Sequence, residues 1–219
     1  MRAFCLFVLL LAGPVAARSV TDSAGRVVEI PDEVQTVFAA GPTAAVLTYI
    51  VKPDTLPGWP RALRPEERTY IAAPYRDLPE TGRLTGRGGE ANLERVLSLR
   101  PELIIDFGSV LDTYIDLADR VQEQTGIPYI LVDGRFEATP DALRLVGDIL
   151  GVPDRGETLA ADVENTFARI DSILSGIPEE DRPRVYLARG PDGLETGMKG
   201  SINTEIIERA GGRNVADDG

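Results

Sequence analysis

The sequence predicts an α/β fold with parallel strands. Short unbroken apolar runs such as Leu103-Ile104-Ile105-Asp106-Phe107 are typical of strands buried on both faces. They alternate with segments of helical period that close on glycine, and the 219 residues, 43% hydrophobic and 26% charged, suffice for one large domain or two smaller lobes. Disorder and collagen are excluded by the same composition. Thirty-five acidic against 23 basic side chains give a formal charge of −12, and the pI near 4.5 argues against a nucleic-acid partner. There is no His, and Cys5 is the single Cys, which removes Ser-His-Asp and Cys-His catalysis, zinc fingers, Cys-ligated clusters and His-ligated haem.

Residues 1–17 read as a cleavable signal peptide. Arg2 is followed by an apolar run from Ala3 to Ala12, then Gly13-Pro14 and Val15-Ala16-Ala17, with cleavage expected after Ala17. The run is far short of the roughly 20 apolar residues that span a bilayer. Cys5 does not stand at the cleavage position, so a lipid anchor is not expected. The mature chain would be an exported protein without cysteine, suited to a bacterial periplasm.

Beyond the leader, Val20 to Ile30 reads as a hairpin around the turn Asp22-Ser23-Ala24-Gly25. Val34 to Ala40 reads as a strand, and Gly41-Pro42 breaks it before a helix capped by Thr43 and running to about Val51. Thr55 to Trp59 reads as another brief strand, followed by a Pro- and Arg-rich loop through Pro79. Leu93, Val96, Leu97 and Leu99 sit at helical spacing within 91–99, and Arg100-Pro101 stops that helix before the strand at Leu103. A helix over Asp112–Thr125 ends at Gly126, Tyr129–Val132 is the next strand, and Pro140–Leu150 is a helix closed by Gly151. These elements form an N-terminal lobe over residues 18–152.

Residues 153–176 differ from what precedes them. Leu159, Val163, Phe167, Ile170, Ile173 and Leu174 form an apolar stripe on one long helix with no internal proline, and Gly156 lies in its first turn. Arg184–Ala188 is then a strand and Ser201–Ala210 a helix closed by Gly211-Gly212. One strand and one helix cannot cover both faces of a sheet, so 177–219 reads as a second lobe only begun; packing of these elements as an appendage on the first lobe is the alternative.

Three stretches resemble the class III periplasmic substrate-binding proteins of ABC importers, which deliver iron-siderophores, haem, cobalamin and some oxyanions. They are Asp22-Ser23-Ala24-Gly25-Arg26, the run from Ala91-Asn92-Leu93-Glu94-Arg95 through Arg100-Pro101-Glu102-Leu103-Ile104-Ile105, and Glu205 to Val215 with Ala210-Gly211-Gly212-Arg213-Asn214. The resemblance covers residues 19 to 217 in the family's order. It implies two Rossmann-like α/β lobes joined by a single long helix, with ligand held in the cleft between them. A complete member would continue for roughly a hundred more residues, the size of a second lobe, so the second lobe is expected to be incomplete and the chain truncated. The resemblance also implies that Glu94 docks on arginines of an inner-membrane permease; a solvated helix charge is the plainer reading of that residue.

Ligands of open α/β sheets sit at the C-terminal strand ends, which selects the loops after each strand. Gly41 and Pro42 would bring backbone and a helix start to an anion. Trp59, between Gly58 and Pro60, could stack on a flat chelate, with a core Trp as the alternative. Tyr75 could line the cleft or ligate ferric iron. Arg83 and Arg87 stand in the glycine-rich segment 82–89, where guanidinium forks could meet carboxylate, catecholate or oxyanion groups, and Arg189 would face them across the cleft. The segment is not a phosphate loop, since no Gly-Lys-Ser/Thr follows. Gly108 and Arg135 complete the set from the two central strand ends, and each arginine taken singly is equally readable as a surface charge.

The function expected is capture of a metal chelate, a ferric siderophore foremost, by a monomeric protein that hands it to an ABC permease, with no resident cofactor or metal and no catalysis. Haem through a Tyr ligand, cobalamin and molybdate-type oxyanions are the alternatives within that class. Outside it stand a hydrolase using Asp106 and Asp133, which lacks any accompanying nucleophile elbow, and a remnant that binds nothing.

Overall fold

The computed structural model describes residues 17–86 and 93–217. The expected leader, apart from Ala17, lies outside them, as does Arg87. Strands β1 (Ala17–Thr21) and β2 (Val27–Pro31) form the antiparallel hairpin, with Val20 opposite Val28 and Gly25 at φ 77° in the turn. The turn is organised by the buried carboxylate of Asp22. Its Oδ1 accepts the amides of Ala24 and Arg26, and its Oδ2 accepts the Arg26 guanidinium and the amide of Leu131. The Ser23 amide in turn donates to the Leu131 carbonyl at 2.9 Å, so the loop is sewn to the central sheet.

That sheet is parallel, in the order β3 (Val37–Ala39), β4 (Leu103–Gly108), β5 (Tyr129–Asp133). Alternate side chains leave each strand on opposite faces. Val37, Ala39, Leu103, Ile105, Ile130 and Val132 enter one core with α1 (Pro42–Val51) and the hairpin; Phe38, Ile104, Tyr129 and Leu131 enter the other. The second core is closed by Val96 of α3 (Leu93–Leu99) and by Ala118 and Val121 of α4 (Asp112–Thr125). Burial on both faces is why these strands are written as apolar runs.

Among its described residues, the long loop between α1 and α3 holds the short helix α2 (Pro65–Arg68) and the 3-10 turns Pro53–Thr55 and Ala73–Tyr75. The strand expected over Thr55–Trp59 is instead a 3-10 turn at Pro53–Thr55 and one parallel bridge between Trp59 and Glu80. Pro57 and Pro60 carry no amide proton, so only Trp59 can pair, its amide to Pro79 and its carbonyl to Thr81. Gly58 permits this approach, because a Cβ there would stand 2.2 Å from the Pro79 carbonyl oxygen. Thr43 does not cap α1. Gly41 takes the cap position, and the Thr43 hydroxyl donates to the Phe107 carbonyl at 2.7 Å, tying the helix start to the end of β4.

Helix α5 (Thr139–Ile149) turns at Gly151 into α6 (Pro153–Leu174), whose 22 residues make a rod about 33 Å long. The first turns of α6 press on α5 where Gly147 and Gly156 meet. A Cβ on Gly147 would lie 2.8 Å from the Gly156 Cα, and one on Gly156 2.7 Å from the Leu143 carbonyl oxygen. Of its apolar stripe, Leu159 and Val163 pack on the first lobe, Phe167 on Phe136, and Ile173 is exposed. Beyond it, β6 is only Arg184–Val185, shorter than the expected Arg184–Ala188, and pairs in parallel with β7 (Arg213–Asn214) under α7 (Ile202–Arg209). Gly211, at φ 84°, sits against Leu174 at the far end of the rod.

Two substitutions test these contacts by urea or thermal unfolding. In Gly156→Ala the steric cost of about 1–3 kcal/mol should exceed the roughly 1 kcal/mol of helix propensity gained, so the variant is expected to lose stability; a gain would show that the helices separate freely. Asp22→Ala strands Arg26 and the loop amides and is expected to cost about 3–5 kcal/mol.

Candidate functional site

The C-terminal ends of β3, β4 and β5 open on a cleft of about 340 Å³, with Ile202 of α7 on its far side. Three backbone approaches make its floor. The Gly134 amide donates to the Gly108 carbonyl at 2.7 Å, and a Cβ on Gly134 would lie 2.7 Å from the Gly108 Cα. The amides of Leu84 and Thr85 both donate to the Ala40 carbonyl, at 2.7 and 2.9 Å, and a Cβ on Gly41 would meet the Thr85 hydroxyl at 2.9 Å. The cleft continues into a wider space of about 730 Å³ between Asp133 and Arg135 on one wall and residues 200–203 at the start of α7 on the other.

One carboxyl stands in the inner cleft. Asp106 is 6% exposed and accepts the Thr85 hydroxyl at 3.1 Å and the Tyr129 hydroxyl at 3.2 Å. Burial raises its pKa from the ordinary carboxylate value, the two hydroxyls and the Phe107 amide opposing the shift. Tyr129, wholly buried beside it, is raised by burial and by the neighbouring carboxyl. In the outer space Asp133 and Arg135 form a pair: Arg135 Nε and Nη2 reach Asp133 Oδ2 at 2.9 and 2.6 Å, and the Arg135 amide reaches Oδ1. Burial works to raise Asp133, but the bonds and charge of Arg135 outweigh it and the carboxyl falls below its usual value. Asp106 and Asp133 are thus each held by their own partners, which does not favour an acid–base pair acting between them.

Beside the cleft, and sharing Pro42 with it, lies an apolar groove of about 370 Å³ between α1 and the 59–71 loop. Val46 and Tyr49 form one wall, Leu63, Tyr70 and Ile71 the other, with Arg61 and Glu67 paired at the rim. Trp59 belongs to the groove's floor. It is 4% exposed, its Nε1 donates to the Tyr75 carbonyl at 2.8 Å, and Tyr49 packs over it at a centroid distance of 5.5 Å. The free stacking face expected of Trp59 is therefore covered.

Gly41, Pro42 and Gly108 line the inner cleft, and Arg135 lies in the adjoining outer space. Tyr75 lines neither. Its hydroxyl donates to Asp54 at 2.5 Å, and this bond, with burial, raises its pKa. Arg83 lies on the loop that borders the cleft, its Nη1 4.0 Å from where a Gly86 Cβ would stand, and does not line it. Arg189 sits in a backbone bridge to Glu195 in the second lobe, away from the lining, because β6 ends at Val185 and the chain turns back at Gly190. Glu94 occupies the exposed first turn of α3. Sequence reasoning passed over Tyr114 and Ile202, which line the inner cleft, and the bond from Tyr129 to Asp106; only a sheet register sets that tyrosine beside that carboxyl. Among the described residues no cluster of three His, Cys, Asp or Glu could hold a metal, and no helix is long and apolar enough to cross a membrane.

A parallel sheet whose strand ends face a second, helix-linked unit across a cleft is the architecture of a solute-binding protein. The profile of the periplasmic binding protein family matches residues 37–219, and the chain belongs to that family. Among relatives, the vitamin B12-binding protein of Salmonella typhimurium is 28% identical over 129 residues, 58% of this chain and 46% of the relative; that of Pectobacterium carotovorum is 25% identical over 130 residues, 58% and 45%. The chain spans about half the length of these relatives. Among solved structures, an ABC transporter solute-binding protein of Sulfurospirillum deleyianum superposes with a TM-score of 0.76 at 22% identity, covering 90% of this chain and 62% of the other. The molybdate periplasmic binding protein MolA of Haemophilus influenzae gives 0.70 at 19% identity over 91% and 66%, and a periplasmic haem-binding protein of Pseudomonas aeruginosa 0.62 at 22% over 84% and 63%. At these identities the likeness establishes the fold.

Asp106 sets a pH dependence. Its raised value means the folded state holds the proton more tightly than the unfolded chain, so the stabilisation is complete below the ordinary carboxylate range and is lost as pH rises through the folded value. Asp106→Asn removes that slope and is expected to be at least as stable as the parent at neutral pH. Urea unfolding of both between about pH 4 and 7 checks it; parallel curves would contradict it.

Proposed function

We propose that this chain is the solute-binding component of an ABC importer, exported to the periplasm, that holds an organic metal chelate between its lobes and passes it to an inner-membrane permease. The observation that carries this reading is the junction at Pro42 of a strand-end cleft offering backbone and hydroxyl groups with an aromatic-walled groove. A small oxyanion needs only the first, whereas a chelate with a polar metal centre and apolar arms uses both. Gly41, Pro42, Gly108 and Arg135 contact the ligand, the groove above Trp59 receives its apolar part, and Arg83 and Arg87 add charge from the bordering loop. Glu94 serves as the first-lobe contact with the permease. No covalent step is required of the protein.

A ferric siderophore is the ligand proposed first. A cobalamin-type corrinoid is the second reading, favoured by the Asp133–Arg135 pair, which leaves that wall without the net positive charge an anionic chelate would seek, and by the relatives named for vitamin B12. Titration with ferric siderophores, haem, cobalamin and molybdate, followed by Trp59 emission and equilibrium dialysis, tests this. Saturable binding of one organic chelate class and none of molybdate is expected. Saturable binding of molybdate alone, or of nothing in the panel, would overturn the proposal.

A further inference from the structure

Helix α7 reaches across to the first lobe through side chains that line neither cleft nor groove. Glu205 and Arg209 are one turn apart and so share a face of the helix. Glu205 Oε2 accepts the backbone amide of Phe136, the residue after Arg135, at 2.7 Å. Arg209 Nη1 lies 3.0 Å from Asp171 of α6 and 3.4 Å from Glu137, while its guanidinium sits 4.3 Å from the centre of the Phe167 ring. Phe167 in turn packs on Phe136 with centroids 5.1 Å apart. The chain segment after β5, the rod and α7 therefore meet at one point, immediately beside the outer cleft.

We infer that Glu205 and Arg209 form a clasp that sets the width of the cleft, with Glu205 as the positioning residue that fixes the start of α7 opposite Arg135. The geometry leaves little else to do so. β6 and β7 are two-residue strands paired with each other, and α6 meets the second lobe near its end, so a pivot about the rod would carry residues 200–203 with it unless α7 were tied down. A carboxylate on a backbone amide resists that pivot directionally, and the Arg209–Phe167 contact resists it through an aromatic face partly shielded from water. The contribution to ligand binding rests on the function proposed above; the clasp itself does not.

The test therefore needs no ligand. In the full chain with Cys5→Ser, spin labels on Asp116→Cys of α4 and Glu208→Cys of α7, both exposed, report the distance between the lobes by pulsed electron resonance. The parent is expected to give one narrow distribution. Glu205→Ala should broaden it and shift it to longer distance, and Glu205→Gln, whose amide oxygen can still accept the Phe136 amide, should restore most of the parent distribution. Arg209→Gln serves as a second variant should Glu205→Ala fail a thermal-unfolding check, and is expected to broaden the distribution likewise. Superposition of a folded variant's distribution on the parent's would overturn the clasp. A broadened distribution in a protein that binds nothing in the titration panel would leave the clasp standing and remove the ligand reading.

Discussion

The contact of α5 with α6 at Gly147 and Gly156 governs everything downstream of the first lobe. Two helices whose backbones approach this closely leave no freedom for sliding or rolling, since any side chain beyond hydrogen would collide with the opposite helix. The direction in which the rod leaves the first lobe follows from that seat. Arg144 of α5, bonded to Glu157 and Glu164 of α6, reinforces it from the solvent side, where screened charges add little energy but favour one azimuth. The rod's far end carries Phe167, Asp171 and Leu174 to the second lobe, so the glycine contact sets the direction from which α7 approaches the first lobe.

The cleft shows the same economy at shorter range. Its floor is backbone against backbone, Gly134 on Gly108 and Gly41 under Thr85, so the strand ends present amides and carbonyls rather than bulky side chains. Charges in this acidic protein are handled by pairing: Asp133 with Arg135, Asp22 with Arg26, Glu67 with Arg61 and Arg64. Asp106 is handled differently: it is buried with two hydroxyls rather than a cation, and burial raises its pKa above the ordinary carboxylate value.

Adjoining this polar floor, the groove under Val46 and Tyr70 supplies apolar area without a covering element of its own among the described residues. On the proposed function the two surfaces divide recognition between them: hydrogen bonds at the strand ends orient the ligand, and burial of its apolar part supplies most of the attraction.

The succession of strands and helices was legible in the residues because it rests on local physics. Period-3.6 stripes mark α4, α5 and α6, glycines at positive φ end α4 and follow α5, and unbroken Val/Ile/Leu runs mark β4 and β5. Strand-end loops followed from topology alone, so Gly41, Pro42, Gly108 and Arg135 could be picked out as strand-end residues without coordinates. What stayed hidden depends on distance through space. A proline-flanked Trp59 reads as a loop residue until Tyr49 and the Tyr75 carbonyl close over it. Tyr75 carries the right chemistry but is drawn off by Asp54, Arg189 is carried away from the lining where the chain turns back at Gly190, and Arg135 is bound by Asp133, two residues before it. By itself, then, the sequence determined the layers, their order and the edge of the sheet where ligands sit, since periodicity and backbone stereochemistry act over a few residues. Only tertiary structure decided which side chains reach that edge, because packing sets where each element ends and which partner each side chain meets.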